Sequence, residues 1–112
     1  MQYVVIANHT SNYPDPIHLT PGDPLVLGQT DDEYPGWIWV TTSSGQAGWA
    51  PEAYVHVHAK GQGEATTAYT SRELNTQLGE HLLCLQELNS WLWVENEQGD
   101  TGWVPKHTIG PL

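Results

Sequence analysis

Three observations predict an all-β fold made of two copies of one small unit. The motif Gly-Trp-aliphatic-Pro occurs twice, as Gly48-Trp49-Ala50-Pro51 and Gly102-Trp103-Val104-Pro105. Each copy follows a Trp-x-Trp, Trp37-Ile38-Trp39 and Trp91-Leu92-Trp93, and the offset between copies is the same at both motifs. All six tryptophans lie in these four segments, so the unit places its largest side chains at equivalent positions. Such in-register self-similarity marks a repeat. Helical periodicity is nearly absent, and short alternating runs are separated by turn residues, the pattern of a small sandwich or barrel.

The runs come in order. Tyr3 to Ala7, Leu25 to Gly28, Trp37 to Val40, Trp49 to Ala50 and Tyr54 to Val57 read as short strands of the first copy. Between them stand the turn clusters Pro14-Asp15-Pro16, Pro21-Gly22-Asp23, Pro35-Gly36 and Ser43-Ser44-Gly45. Leu82 to Leu88, Trp91 to Glu95 and Asp100 to Val104 repeat the pattern in the second copy. Pro51 and Pro105 remove a ladder donor, so each ends a strand and starts a single helical turn. Equivalence of Leu25 and Leu27 with Leu82 and Cys84 points all four inward and turns Leu83 and Leu85 outward. The polar, Gly-rich Lys60-Gly61-Gln62-Gly63 is the best linker. The expected organisation is therefore one barrel over 1–59, a linker over 60–63 and a second barrel over 64–112. Domains this small bury only about 60% of their unfolded surface, and aromatic side chains of about 150–250 Å² compensate.

The chain has 112 residues, 13 acidic and 3 basic, for a net charge of −10. Phosphate backbones and anionic lipid are held by Lys and Arg. With only Lys60, Arg72 and Lys106 available, neither nucleic acid nor a membrane surface is an expected partner. Cys84 is the only cysteine, which rules out an intrachain disulfide. Residues 1–6 lack the basic and apolar regions of a secretory signal, and a cytoplasmic location is the default expectation.

Laid end to end, each half resembles an SH3 domain, a five-stranded, partly open barrel. The first half carries Ile17-His18-Leu19-Thr20-Pro21-Gly22-Asp23, Trp37 and Gly48-Trp49-Ala50-Pro51-Glu52-Ala53-Tyr54 at the family's marks. The second carries Leu74-Asn75-Thr76-Gln77-Leu78-Gly79-Glu80, Trp91 and Gly102-Trp103-Val104-Pro105. The two opening tyrosines are replaced by Ala7 and His9 in the first half. In the second half Thr67 replaces one and Tyr69 keeps the other, while Thr108 stands where the closing tyrosine belongs. The whole looks most like the bacterial variant SH3 tandem arrangement.

The resemblance implies a binding groove for an extended, proline-rich segment, lined by the opening tyrosines, the Trp, the Pro and the closing Tyr. Carried over by position, the first repeat offers His9, Trp37, Pro51 and Tyr54. Strand alternation adds Trp39 and Trp49 on the outer face. Asp31, Asp32 and Glu33 sit in the loop before Trp37, where acids meet a basic ligand residue in the family. The second repeat offers the weaker set Tyr69, Trp91, Trp103 and Pro105. A structural reading stands beside this one, with the tryptophans packed in an interface between barrels or in a homodimer. Binding of cell-wall peptides, as in related bacterial domains, is another alternative.

Catalytic and metal readings find little support. His56-Val57-His58 puts two imidazoles on one strand face, but zinc needs three or four ligands. No metal and no cofactor is expected. Cys84 reads as a small apolar filler instead of a nucleophile. The chain is expected to be a binding module and not an enzyme, with a protein or peptide segment as its partner.

Overall fold

The computed structural model describes residues 2–11 and 15–112. In chain order the strands are β1 (Gln2–Val5), β2 (His18–Leu19), β3 (Pro24–Thr30), β4 (Trp37–Thr42), β5 (Ala47–Pro51), β6 (Val55–Ala59), β7 (Gln62–Ala65), β8 (Tyr69–Thr70), β9 (His81–Leu88), β10 (Trp91–Glu95), β11 (Thr101–Pro105) and β12 (Ile109–Pro111). Single 3₁₀ turns, Glu52–Tyr54 and Lys106–Thr108, follow Pro51 and Pro105 as the missing ladder donors require. The all-β fold and small five-stranded sheets agree with the reading of the sequence. Pro14, part of an expected turn cluster, lies outside the described residues.

The chain divides into a contiguous unit, Asp15–Ser71, and a discontinuous unit, Met1–Pro14 with Arg72–Leu112. Among the described residues the contiguous unit has one five-stranded sheet in the order β5-β4-β3-β7-β6, and the short pair β2-β8. Its core is Ile17, Leu19, Leu25, Val40, Ala50 and Ala65, with Leu27, Ile38, Val55 and Tyr69 packed against it. Antiparallel register sets Ile38 opposite Ala50 and Val40 opposite Gly48, so these face inward. Trp37 opposite Pro51, and Trp39 opposite Trp49, take the other face.

The discontinuous unit repeats this order as β11-β10-β9-β1-β12. Val5, Leu74, Leu82, Leu92, Val94, Val104 and Ile109 form its core, with Tyr3 and Cys84 packed against it. Cys84 is half-buried, while Leu83 and Leu85 are 38% and 53% exposed, which is the register the two copies predicted.

The expected boundary at 60–63 is corrected. β7 belongs by sequence to the second copy, yet it lies between β3 and β6 of the first. β1 belongs by sequence to the first copy, yet it lies between β9 and β12 of the second. The two opening strands are exchanged. Their anchoring is equivalent: the Ala65 N–H donates to Asp23 O (2.9 Å) and Ala65 O accepts from the Gly22 N–H (2.7 Å), just as the Val5 N–H donates to Glu80 O (2.8 Å) and Val5 O accepts from the Gly79 N–H (2.9 Å). Asp23 also receives the Thr20 N–H and hydroxyl, and these bonds hold its carboxyl below the usual carboxylate range.

The cause of the exchange is a turn. β6 ends at Ala59 and β7 begins at Gln62, leaving only Lys60 and Gly61 between them. Gly61 takes φ 75°, a left-handed value that glycine adopts without cost, and the two strands fold back as a hairpin. A chain that reverses in two residues keeps β7 in the sheet of β6, so it cannot open the next barrel.

Candidate functional site

The exchange decides which aromatic side chains meet. Tyr69 follows β7 into the contiguous unit. There its ring stands 6.4 Å from Trp37, tilted by 50°, and 6.1 Å edge-on from Tyr54. Its hydroxyl donates to the Trp49 carbonyl oxygen at 3.0 Å. Pro51, fully buried, is the register partner of Trp37. Trp37, Pro51 and Tyr54 come from the first copy and Tyr69 from the second, and together they make one aromatic site. Tyr54 and Tyr69 are half-buried and form its accessible rim.

Two assignments made from the sequence are corrected here. Tyr69 was placed with Trp91 and belongs with Trp37. His9 was placed with Trp37 and belongs with Trp91, edge-on at 5.7 Å. The groove reading uses Trp37 as a wall, the structural reading buries it, and Trp37 is only 5% exposed. The tyrosine brought by the exchanged segment lies tilted beside it, and the sequence order of the copies concealed that neighbour.

Trp39 and Trp49 are half-buried and meet edge to face at 5.2 Å, as directly opposed cross-strand aromatics do. Gly28 makes room for them, since a Cβ there would lie 3.3 Å from Trp39. The three acids separate in role. The Asp31 carboxylate accepts the Glu33 and Tyr34 N–H groups at 2.8 and 3.2 Å, while the Asp31 N–H donates to Trp37 O at 3.0 Å. Asp31 therefore shapes the loop and ties it to β4, leaving Asp32 and Glu33 exposed. Burial, then the charges of Glu33 and Asp31, push the Tyr34 phenol up.

The equivalent place in the discontinuous unit has other chemistry. His9 Nε2 pairs with Glu73 Oε1 at 2.8 Å, with side chains 12% and 13% exposed. Glu73 was not singled out in the sequence; its position beside the bridge that joins it to Trp103 becomes visible only with the exchange. Thr108 turns inward and donates its hydroxyl to Pro105 O at 2.7 Å, so no closing aromatic stands there. Pro105 and Trp103 are buried, Trp91 is half-buried, and Trp103 meets Trp93 at 5.3 Å.

The two strand histidines do share a face, with rings 4.9 Å apart, and His58 pairs with Glu64 at 2.7 Å. Among the described residues no group of three or more His, Cys, Asp or Glu side chains is placed to hold a metal ion. Among the same residues no helix is long and apolar enough to cross a membrane.

The variant SH3 domain family model matches residues 2–57, half of the chain. No curated protein and no solved structure matches it. The match begins with β1 and ends within β6, so it joins in sequence what the fold distributes over two units. The matched motifs, the strand order and the Trp-Pro-Tyr site coincide, and the chain belongs to the variant SH3 domain family.

Proposed function

We propose that this chain is a non-catalytic interaction module that takes an extended protein segment, proline-rich or basic, at the aromatic site of the contiguous unit. Domains of this kind are protein-interaction modules in general, and the coarser statement follows from family membership. The finer one rests on a single arrangement: Tyr69 set between Trp37 and Tyr54, beside Pro51. Flat aromatic walls fit a polyproline II ridge, which is already extended and loses little entropy on docking. The exposed Asp32 and Glu33, in the loop tied to Trp37, favour a basic residue in the ligand. The second site carries a His–Glu pair and no closing aromatic, so it offers less stacking area.

Titration of an Arg-containing proline-rich peptide into isotope-labelled protein tests this. The reading expects shifts at Tyr54, Tyr69 and the Trp49 indole, with a Kd of about micromolar or weaker. Tyr54→Ala removes binding and keeps the fold, since Tyr54 lies at the rim, whereas Trp37→Ala also opens a buried site. Shifts confined to Trp91 and His9 overturn the assignment.

A further inference from the structure

The two exchanged strands are held in different ways. β7 is bound to its sheet by a two-residue turn, and its whole unit is contiguous from Asp15 to Ser71. β1 is joined to the rest of its unit only through the whole of that contiguous segment. Yet all of its anchoring lies in residues 73–111. Tyr3 pairs with Leu82 on one side and Pro111 on the other. Ile6 and Ala7 donate to Thr108 O at 2.8 and 3.2 Å. His9 and Thr76 exchange both backbone bonds, at 2.9 and 2.8 Å. Asn8 Oδ1 accepts the Leu78 N–H, and the Ser11 N–H donates to Asn75 Oδ1. His9 adds its bond to Glu73, and Val5, 1% exposed, completes the core.

We propose that the slot between β9 and β12 accepts residues 2–11 of a second copy of this chain, giving a strand-exchanged dimer. Every contact just described forms identically whether the segment comes from the same chain or from another. The choice between closed monomer and dimer is therefore set by chain connection alone, and exchange of an identical element is a low-cost route to dimers. The competing term is the effective concentration of the segment tethered on its own chain, which for linked groups reaches about millimolar. The occupant is a second copy because side chains along the segment specify it: Val5 for the core, Asn8 for the Leu78 amide and His9 for Glu73. The contiguous unit is unaffected, since its own opening strand cannot leave the hairpin. This surface is separate from the aromatic site, so failure of one reading leaves the other standing.

The test uses the full chain with Gln2→Cys and Leu83→Cys, register partners that are both exposed, in a Cys84→Ala background. The protein is refolded at graded concentrations up to about 1 mM, oxidised and run on denaturing non-reducing gels. The proposal expects intrachain-bridged monomer from dilute refolding and a rising fraction of covalent dimer at high concentration. Monomer alone across the range overturns it, as does a dimer in solution whose bridges all prove intrachain. A second measurement guards against a variant that does not refold. Labelled and unlabelled wild type are refolded together and examined by native mass spectrometry. The proposal expects mixed-mass dimers that persist on dilution and are lost with Val5→Asp, and their absence counts against it.

Discussion

The Tyr69 hydroxyl donates to the carbonyl oxygen of Trp49 at 3.0 Å, tying an opening segment of the second copy to the closing motif of the first. That bond holds the ring between Trp37 and Tyr54. Tyr69→Phe keeps the ring and deletes the donor, which leaves a half-buried carbonyl to find water. We expect a loss of about 0.5–1.5 kcal/mol in denaturant unfolding, with peptide binding weakened far less than in Tyr69→Ala. Equal binding losses in the two variants would mean that the hydroxyl, and not the ring, carries recognition.

Val5→Ala reports directly on the strand exchange. Val5 is 1% exposed and packs in the core with Leu92, Val94 and Val104. Removing two buried carbons costs about 2 kcal/mol. Amide and indole exchange should accelerate at Trp91, Trp93 and Trp103, and less at Trp37, Trp39 and Trp49. The reverse order is expected if β1 closes the first copy's barrel, so the measurement decides the topology.

Much of each barrel was legible because the relevant signals are local. Trp-x-Trp and Gly-Trp-x-Pro set the alternation of β4, β5, β10 and β11, and a single register choice at Leu25 and Leu82 oriented the neighbouring strands. The pairing of opening strands was not legible in the same way. Val5 and Ala65 satisfy the same anchoring bonds, so the residues of β1 and β7 do not say which barrel each closes. The deciding signal was Lys60-Gly61, read as a flexible linker because it is polar and contains glycine. The same composition serves a two-residue hairpin when alternating residues flank it, as His56-Val57-His58 and Gly63-Glu64-Ala65 do. His9 and Tyr69 were consequently assigned to each other's site.

The two motif glycines look alike in sequence and differ in what surrounds them. A Cβ on Gly102 would lie 2.7 Å from Leu74 N and 2.9 Å from Leu74 Cβ, a clash with backbone. On Gly48 it would meet Ile17 side-chain carbons and Ser71 Oγ at 3.4 Å, an ordinary contact. Gly102→Ala should therefore destabilise by about 1–3 kcal/mol, as overpacking does, and Gly48→Ala by less than about 1 kcal/mol. Thermal unfolding of the pair checks the difference, and equal losses would contradict the geometry.

The turn between β9 and β10 holds Asn89 at φ 49° and Ser90 at φ 71°. Asparagine tolerates left-handed backbone, but a serine there carries a steric cost of about 1–2 kcal/mol that glycine avoids. Part of that gain is offset by the larger unfolded-state entropy of glycine. Ser90→Gly should raise the unfolding free energy by about 0.5–1 kcal/mol. A lower midpoint in denaturant would show that the Ser90 side chain makes a compensating contact.

The acids before Trp37 should separate into one structural residue and two that tune binding. The Asp31 carboxylate accepts two loop amides, so Asp31→Ala loosens the approach to the site although its backbone bond to Trp37 O is kept. Its loss should weaken a neutral proline-rich peptide and a basic one alike. Asp32 and Glu33 are exposed, and exposed ion pairs contribute about 0–1 kcal/mol. Asp32→Asn with Glu33→Gln should therefore raise the Kd for a basic peptide by up to about fivefold and leave the neutral peptide unchanged. Screening acts on the same charges, so the double variant should also flatten the salt dependence of the basic peptide. Titrations of both peptides at low and high salt supply the comparison. A salt slope that survives neutralisation would place the basic contact at another of the chain's 13 acidic residues.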